Sequence, residues 1–231
     1  MTGQSRDRRF AEGEVLLLRK PSGWTSFDVV NRVRHLTGVR KVGHAGTLDP
    51  LATGLLIVCT GRKTKEISSF MGLDKEYEGE MTLGMRTASF DAATPVIETR
   101  DTGGITPDAV RSVMASFTGR RLQVPPMWSA VSVAGKRLYR YARQGVEVER
   151  QPREIVIHAL DPLEIRIPAV RFRVTCSKGT YVRSLVDEMG QQLGCGAYLT
   201  ALERTRIGHY ALAEAETLED LAAACASAGA A

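Results

Sequence analysis

The sequence predicts an α+β chain, on three observations. Residues 75–84 alternate with a period of two, β-rich runs follow one another between 154 and 177, and the helical segments open on capping residues and close on glycines. With 231 residues and 43% hydrophobic composition the chain can bury one large core or two small ones. No polar linker divides it and no internal repeat is evident, so a single domain from residue 14 to 231 is expected behind a flexible N-terminal arm, residues 1–13.

The elements follow in order. Glu14 to Arg19 reads as a first strand, ended by the turn Lys20-Pro21-Ser22-Gly23. Thr25 with Asp28 three residues on is a capping pair for a helix that buries Val29, Val30, Val33 and Leu36 and stops at Gly38. Leu55 to Cys59 is short, mostly branched and bounded by Gly54 and Gly61, which suits a buried strand. In 75–84, Tyr77, Gly79, Met81 and Leu83 share the inner face. Thr106, with Pro107 in the first helical position, opens a helix through Val110, Val113, Met114 and Phe117 that closes at Gly119. Residues 120–153 hold Pro125-Pro126, Trp128, Gly135 and a basic run at 136–143, and predict a protruding loop with a short helix. Three runs, 154–160, 163–167 and 170–176, then read as strands. A helix capped by Thr180 follows, with Val182, Leu185, Val186, Met189 and Leu193 as its stripe. Thr205 to Ala211 predicts a last strand and Thr217 to Ala226 a last helix.

Positive charge is uneven. Residues 1–65 hold 12 Lys/Arg against 5 Asp/Glu, and residues 120–153 hold 8 against 2, whereas residues 66–119 hold 4 against 9. Such blocks either solvate a face or bind a polyanion, and nucleic acid is the natural partner if the two meet. No run approaches the ~18 apolar residues of a membrane span, and the polar start lacks the apolar middle of a signal peptide, so cytoplasm is the expected location. Cys59, Cys176, Cys195 and Cys225 are widely spaced without a CxxC or HxxxH pair, which predicts reduced, mostly buried thiols and no metal.

The stretch from Lys41 to Lys65 combines these themes. Asp49 stands alone between small residues and Pro50, which biases it towards an extended or turn conformation on a loop. A buried strand follows, and then Arg62, Lys63 and Lys65. Local chemistry alone reads an Asp-Pro pair as an ordinary turn; by the same standard Tyr77 is a core aromatic, His44 a loop residue, Leu202 a core residue, Tyr181 a packing residue at a helix start, and Arg183 a solvent-facing arginine set against the helix dipole.

Taken jointly, these residues resemble the bacterial TruB family of tRNA pseudouridine synthases. The resemblance runs from about Leu16 to Leu218 through KPSGWTSFDVVNRVR at 20–34, GHAGTLDPLATGLL at 43–56, KEYEGEMTLG at 75–84, VPPMWSAVSVAGKRLYRYAR at 124–143 and the segment 176–208. It implies the pseudouridine-synthase fold, a central mixed and largely antiparallel sheet flanked by helices with an inserted basic loop at about 124–152. It implies that Asp49 is the catalytic aspartate, Tyr77 the tyrosine packed on the target base and Arg183 the arginine paired with the aspartate. His44, Tyr181 and Leu202 match positions that contact flipped-out nucleotides, and Lys20-Pro21 the turn beside the active site. Trp128, Ser132 and Glu203 stand where the family usually has Tyr, Lys and Arg, and a chain lacking the C-terminal PUA domain usual in the family is expected, whether as a natural short form or as a truncation.

The activity so implied isomerises the uridine at position 55 in the T-loop of tRNA, on a monomer bound to the T-arm, with no cofactor and no membrane. Two alternatives stand beside it: a non-catalytic tRNA-binding or tRNA-folding protein, and a synthase acting on another RNA.

Overall fold

The computed structural model of the chain describes residues 9–228. In chain order the elements are β1 (Val15–Lys20), α1 (Ser26–Thr37), β2 (Val42–His44), β3 (Thr53–Thr60), α2 (Ile67–Gly72), β4 (Lys75–Leu83), β5 (Met85–Thr87), β6 (Val96–Thr99), α3 (Pro107–Ser116), β7 (Gly119–Gln123), β8 (Ser132–Val133), β9 (Lys136–Arg137), α4 (Leu138–Ala142), β10 (Arg153–Arg166), β11 (Ala169–Cys176), α5 (Val182–Gln192), β12 (Ala197–Ile207), β13 (Tyr210–Ala211) and α6 (Leu218–Ala228). The fold is α+β, with a mixed, largely antiparallel sheet. It divides into two compact units without a linker: residues up to Tyr77 with Glu203 onward, and Glu78 to Leu202.

In the first unit β3 is the central strand. It pairs antiparallel with β1 and β2 and parallel with β12 at Glu203↔Thr53 and Arg204↔Gly54. Leu55, Leu56, Ile57, Val58 and Cys59 are all 0% exposed. Both faces are covered, which is why the run is continuously apolar rather than alternating. Leu56 and Val58 face a cluster with Val29, Val30 and Val33 of α1 and Leu218 and Leu221 of α6, while Leu55, Ile57 and Cys59 face Phe70, Ile207 and Leu212. The cap of α1 is as the sequence predicts: Asp28 N donates to Thr25 Oγ1, the Asp28 carboxylate accepts from Thr25 N, and Gly38 ends the helix at φ 68°. The last helix opens on the same reciprocal bonds between Thr217 and Asp220.

In the second unit the strand order is β12, β4, β11, β10, β7. The stripe of α3 buries Val110, Met114 and Phe117, and that of α5 buries Leu185, Val186 and Met189. The opening of α3 on Thr106, whose hydroxyl accepts from Ala109 N, with Pro107 inside the first turn, matches the sequence reading.

Five local expectations need correction. Of the flexible arm, residues 1–8 lie outside the described residues, but Arg9–Gly13 is tied down: Thr60 Oγ1 donates to Phe10 O, Arg62 N donates to Glu12 O, and the Phe10 ring packs on the core of the first unit. The two runs 154–160 and 163–167 are one strand, β10, with Asp161-Pro162 carried through at an irregularity in its pairing with β11. A register shift tolerates a proline that a regular ladder would expel. Residues 120–123 belong to β7, paired with β10, so the protrusion begins after Gln123. The last long strand starts at Ala197, eight residues earlier than the composition of that segment suggests. Thr180 does not cap α5: its hydroxyl donates to Ser177 O at 3.0 Å, and Tyr181 is the capping residue without a side-chain bond of its own.

Candidate active site

The loop that carries Asp49 is held by its backbone. Ser26, buried in the first turn of α1, accepts from Leu48 N at 2.8 Å and donates to Leu48 O at 3.3 Å. On the far side, Pro50 O accepts from Gly23 N at 2.9 Å and from Lys20 Nζ at 3.4 Å, and Ala52 N closes a turn onto Asp49 O at 3.0 Å. Asp49 itself is half-buried between these clamps. A carboxylate that must act at a fixed point gains from such preorganisation, because the backbone rather than the side chain sets its position.

Of the buried cations in this unit, Lys20 and Arg204 reach the loop. Lys20 is 0% exposed, and its Nζ donates to Pro21 O at 2.9 Å and Trp24 O at 2.5 Å as well as to Pro50 O. Arg204, 1% exposed, donates from Nε to Leu55 O at 2.7 Å and from Nη2 to Gly46 O at 3.2 Å. It thereby ties the glycine loop before Asp49 to the strand after it. Where Arg204 enters, Gly54 sits at φ 100°, and a Cβ there would stand 2.4 Å from Arg204 O. Only glycine permits this approach. His44, on β2 and half-buried, has its imidazole pushed down chiefly by burial, with a bond at the Gly46 backbone opposing and Arg204 reinforcing the push.

Burial pushes the Lys20 ammonium down to about 8; the Asp49 charge raises it, Arg204 lowers it, and Asp28 raises it. The folded value thus lies below the unfolded 10.5, so between about 8 and 10.5 the unfolded chain binds the extra proton. The stability linked to this lysine therefore rises as pH climbs through that window and is absent below it. A ¹³C NMR titration of the lysine side chains should show one midpoint near 8. Asp49→Asn should move that midpoint lower still, since the raising charge is gone. An unchanged midpoint would remove Asp49 from the surroundings of Lys20.

Tyr77, 8% exposed, points to the inner face of β4 as the alternation predicts. In the first unit, then, Lys20 and Asp49 are brought together at one loop, His44 and Lys20 both feel Arg204, and Tyr77 closes the first unit's share of β4.

The second unit holds Tyr181, Arg183 and Leu202. Arg183 is 4% exposed and so is no solvent-facing side chain. It donates from Nη2 to Trp128 O at 2.6 Å and from Nη1 to Ser89 O at 3.3 Å, with its Nε 3.9 Å from the Asp91 carboxylate. Asp91 is itself buried and accepts from Ser89 Oγ at 2.5 Å and Ala93 N at 3.0 Å. The loop between them passes through Phe90 at φ 66°, a left-handed conformation that costs a non-glycine residue ~1–2 kcal/mol and persists because its neighbours are so firmly bonded. The guanidinium carbon of Arg183 lies 5.7 Å from the centre of the Tyr181 ring. Leu202 is a half-buried residue of β12, next to the space that Gly79 leaves open.

The basic insertion carries its charge on a tight hairpin and a short helix. Ala134 and Gly135 turn β8 into β9 with positive φ, and Lys136 Nζ lies 4.4 Å from the centre of the Tyr141 ring. Arg137, Arg140 and Arg143 are exposed while Leu138 is fully buried, so the short helix is anchored by one residue and presents its arginines to solvent.

Sequence reasoning missed Ser26, Ser89, Asp91, Gln123 and Arg204. Gln123 and Arg204 had no local signal, because their partners lie 58 and 149 residues away.

The model of the TruB family of pseudouridylate synthases, N-terminal domain, matches residues 34–182, and that of the tRNA pseudouridylate synthase B C-terminal domain matches residues 183–230. The chain belongs to the TruB family. Among similar proteins, tRNA pseudouridine synthase B of Chloroherpeton thalassium is 49% identical over 91% of this chain and 89% of that one. The enzyme of the same name from Chlorobium luteolum is 53% identical over 90% of this chain and 74% of its own length. The solved structure of a Cbf5-Nop10-Gar1 complex is similar with a TM-score of 0.72 and 31% identity, over 93% of this chain and 54% of that chain. An H/ACA RNP bound to a substrate RNA containing 2'-deoxyuridine gives 0.70 and 29%, over 93% and 53%. The chain thus spans about half the length of these solved chains, and shares with them the pseudouridine-synthase fold. As a member of this family the chain is a pseudouridine synthase, an isomerase. Among the described residues no helix is long and apolar enough to cross a membrane.

Proposed function

We propose that the chain converts the uridine at position 55 in the T-loop of tRNA to pseudouridine, in the cytoplasm, as a monomer, with Asp49 as the catalytic carboxylate. The pseudouridylation of tRNA follows from the family and from relatives named for that activity. The observation that most supports the role of Asp49 is the clamped loop: the backbones of Leu48 and Pro50, on either side of the acid, are held by Ser26 and by Gly23 with Lys20.

The reaction breaks the bond from ribose to nitrogen 1 of uracil, turns the base in place and rejoins it through carbon 5. No electron is gained or lost overall and no water is added, so the balance calls for neither a redox cofactor nor a hydrolytic metal. A base stacked inside the T-loop must first be extruded into a pocket. Tyr77 takes the extruded ring on its face, a contact worth about 1–3 kcal/mol per base and indifferent to the ring's orientation, which suits a base that rotates. Cleavage of the glycosidic bond develops positive character on the sugar, which a carboxylate stabilises or captures. Arg183 is assigned as the guanidinium of the reaction centre. His44, Tyr181 and Leu202 are assigned to the nucleotides around the target, whereas Lys20, expected from the sequence to join them, is fully buried with its Nζ on three backbone carbonyls and holds the Asp49 loop instead. The exposed arginines of the insertion supply phosphate contacts, whose signature is salt-dependent affinity.

The test is tritium release from carbon 5 of uridine in an unmodified tRNA transcript, with the product mapped by position. Release confined to position 55 is the expected result. Release from another position would sink the T-loop reading, and tight, salt-sensitive binding without release would favour a tRNA-binding protein. Tyr77→Phe separates stacking from proton transfer: the proposal that the phenol helps remove the carbon 5 proton predicts a slow variant with near-normal RNA affinity. Full turnover by that variant would leave Tyr77 with stacking alone.

A further inference from the structure

α5 begins without a cap from its own segment, since the Thr180 hydroxyl is spent on Ser177 O and Tyr181 offers no side-chain bond. The backbone of Tyr181 itself is held instead from β7. Gln123, 2% exposed, accepts from Tyr181 N with Oε1 at 2.8 Å and donates from Nε2 to Tyr181 O at 3.2 Å. One carboxamide thus reads both polar groups of a single residue, as a neighbouring strand would. Tyr181 O also accepts the first helical bond, from Leu185 N at 3.1 Å, so the clamp and the helix share an atom.

The clamp is itself held. Glu188, about two turns into α5, neighbours Gln123 and lies 3.3 Å from Arg121 Nη2, and the Arg121 guanidinium stacks 3.8 Å from the centre of the Phe117 ring. On the other side of Gln123 the chain runs through Val124 and the stiff pair Pro125-Pro126 to Trp128, whose carbonyl accepts from Arg183 Nη2 at 2.6 Å. The six residues from 123 to 128 therefore grip the start of α5 twice, by the backbone at Tyr181 and by the guanidinium at Arg183.

We propose that Gln123 is a positioning residue for pseudouridine formation: by fixing the backbone of Tyr181 it sets the first turn of α5 and so the placement of the Arg183 guanidinium. This rests on the assignment of Arg183 to the reaction centre. A purely structural role would use any buried group of the right size; a positioning role needs both halves of the amide. An ionised carboxylate at this position keeps the acceptor for Tyr181 N but sets a second acceptor against Tyr181 O, beside Glu188. A protonated carboxyl restores the donor.

The experiment uses the full chain and an unmodified tRNA transcript, with single-turnover rates at saturating enzyme, tRNA affinity by filter binding, and thermal unfolding. Gln123→Met, which keeps the shape and deletes both bonds, should turn over about 10- to 100-fold more slowly with tRNA affinity within about threefold. Gln123→Glu should approach the parent rate at low pH and fall away from it as the introduced carboxyl ionises. In an Arg183→Met background, Gln123→Met should add little further loss, because it acts through the same group. Parent rates for Gln123→Met per folded molecule, a parent-like pH profile for Gln123→Glu, or full additivity with Arg183→Met would each overturn the proposal while leaving the role of Arg183 intact. Were Gln123→Met not to fold, the Gln123→Glu profile alone decides. A parent rate for Arg183→Met would instead sink the assignment of Arg183 and the proposal with it.

Discussion

Replacing Asp49 by Asn should abolish tritium release, by ~10⁴-fold or more, while leaving the fold and tRNA binding in place. Loss of a group that works directly on the reacting bond has consequences of this order. The substitution is nearly isosteric, and the loop is held through Leu48, Pro50 and Ala52 by their backbones, so its geometry survives the loss of charge. Circular dichroism and filter binding check those two conditions in the same preparation. A loss of less than about tenfold would remove Asp49 from the chemistry and return it to an ordinary turn. Collapse of the fold would show instead that the charge is needed to balance Lys20 and Arg204.

The second large effect concerns stability. Gly54→Ala puts a Cβ 2.4 Å from Arg204 O and 2.7 Å from Arg204 N, at φ 100°, where the neighbouring atoms are backbone of the paired strand and cannot swing aside. The contact cost and the conformational cost fall on one residue. About 4 kcal/mol of destabilisation is expected, or roughly a 10 °C fall in the unfolding midpoint. Gly38→Ala is the control, since it also has positive φ, 68°, but meets nothing within 4 Å. If the two variants unfold within about 2 °C of each other, crowding against Arg204 is not what demands glycine at 54.

How much was legible depends on how local the determining contacts are. The caps at Thr25, Thr106 and Thr217 were readable because each acts on a residue three positions on. The continuous run in β3 announced burial on both faces. The two runs merged into β10 could not be joined in advance, since the irregularity that admits Pro162 exists only in the pairing with β11. Thr180 was a reasonable capping residue by type, but its hydroxyl turns back to Ser177 O, and the backbone of the residue that does open the helix is held from 58 residues away by Gln123. The candidate site was assigned by resemblance, not by composition: Asp49 in isolation is a turn residue. Arg183 read alone was an arginine against the dipole; what reconciles it with burial is a set of carbonyls and a carboxylate from Ser89, Asp91 and Trp128.

The strand that follows the Asp49 loop has a consequence for how motion is distributed. Five successive residues of β3 are fully buried, their strand is paired on both sides, and Arg204 bolts Leu55 O to the partner strand. Amides in such a strand exchange with solvent only when the whole unit opens, so β3 belongs to the slowest-exchanging part of the chain. The Asp49 loop, four residues away, is thus tethered to the stiffest point of its unit. The insertion is the opposite case, a two-residue ladder and one short helix anchored by Leu138. Thermal fluctuation is thus concentrated in the insertion proposed to meet RNA, and withheld beneath the acid proposed to act on it.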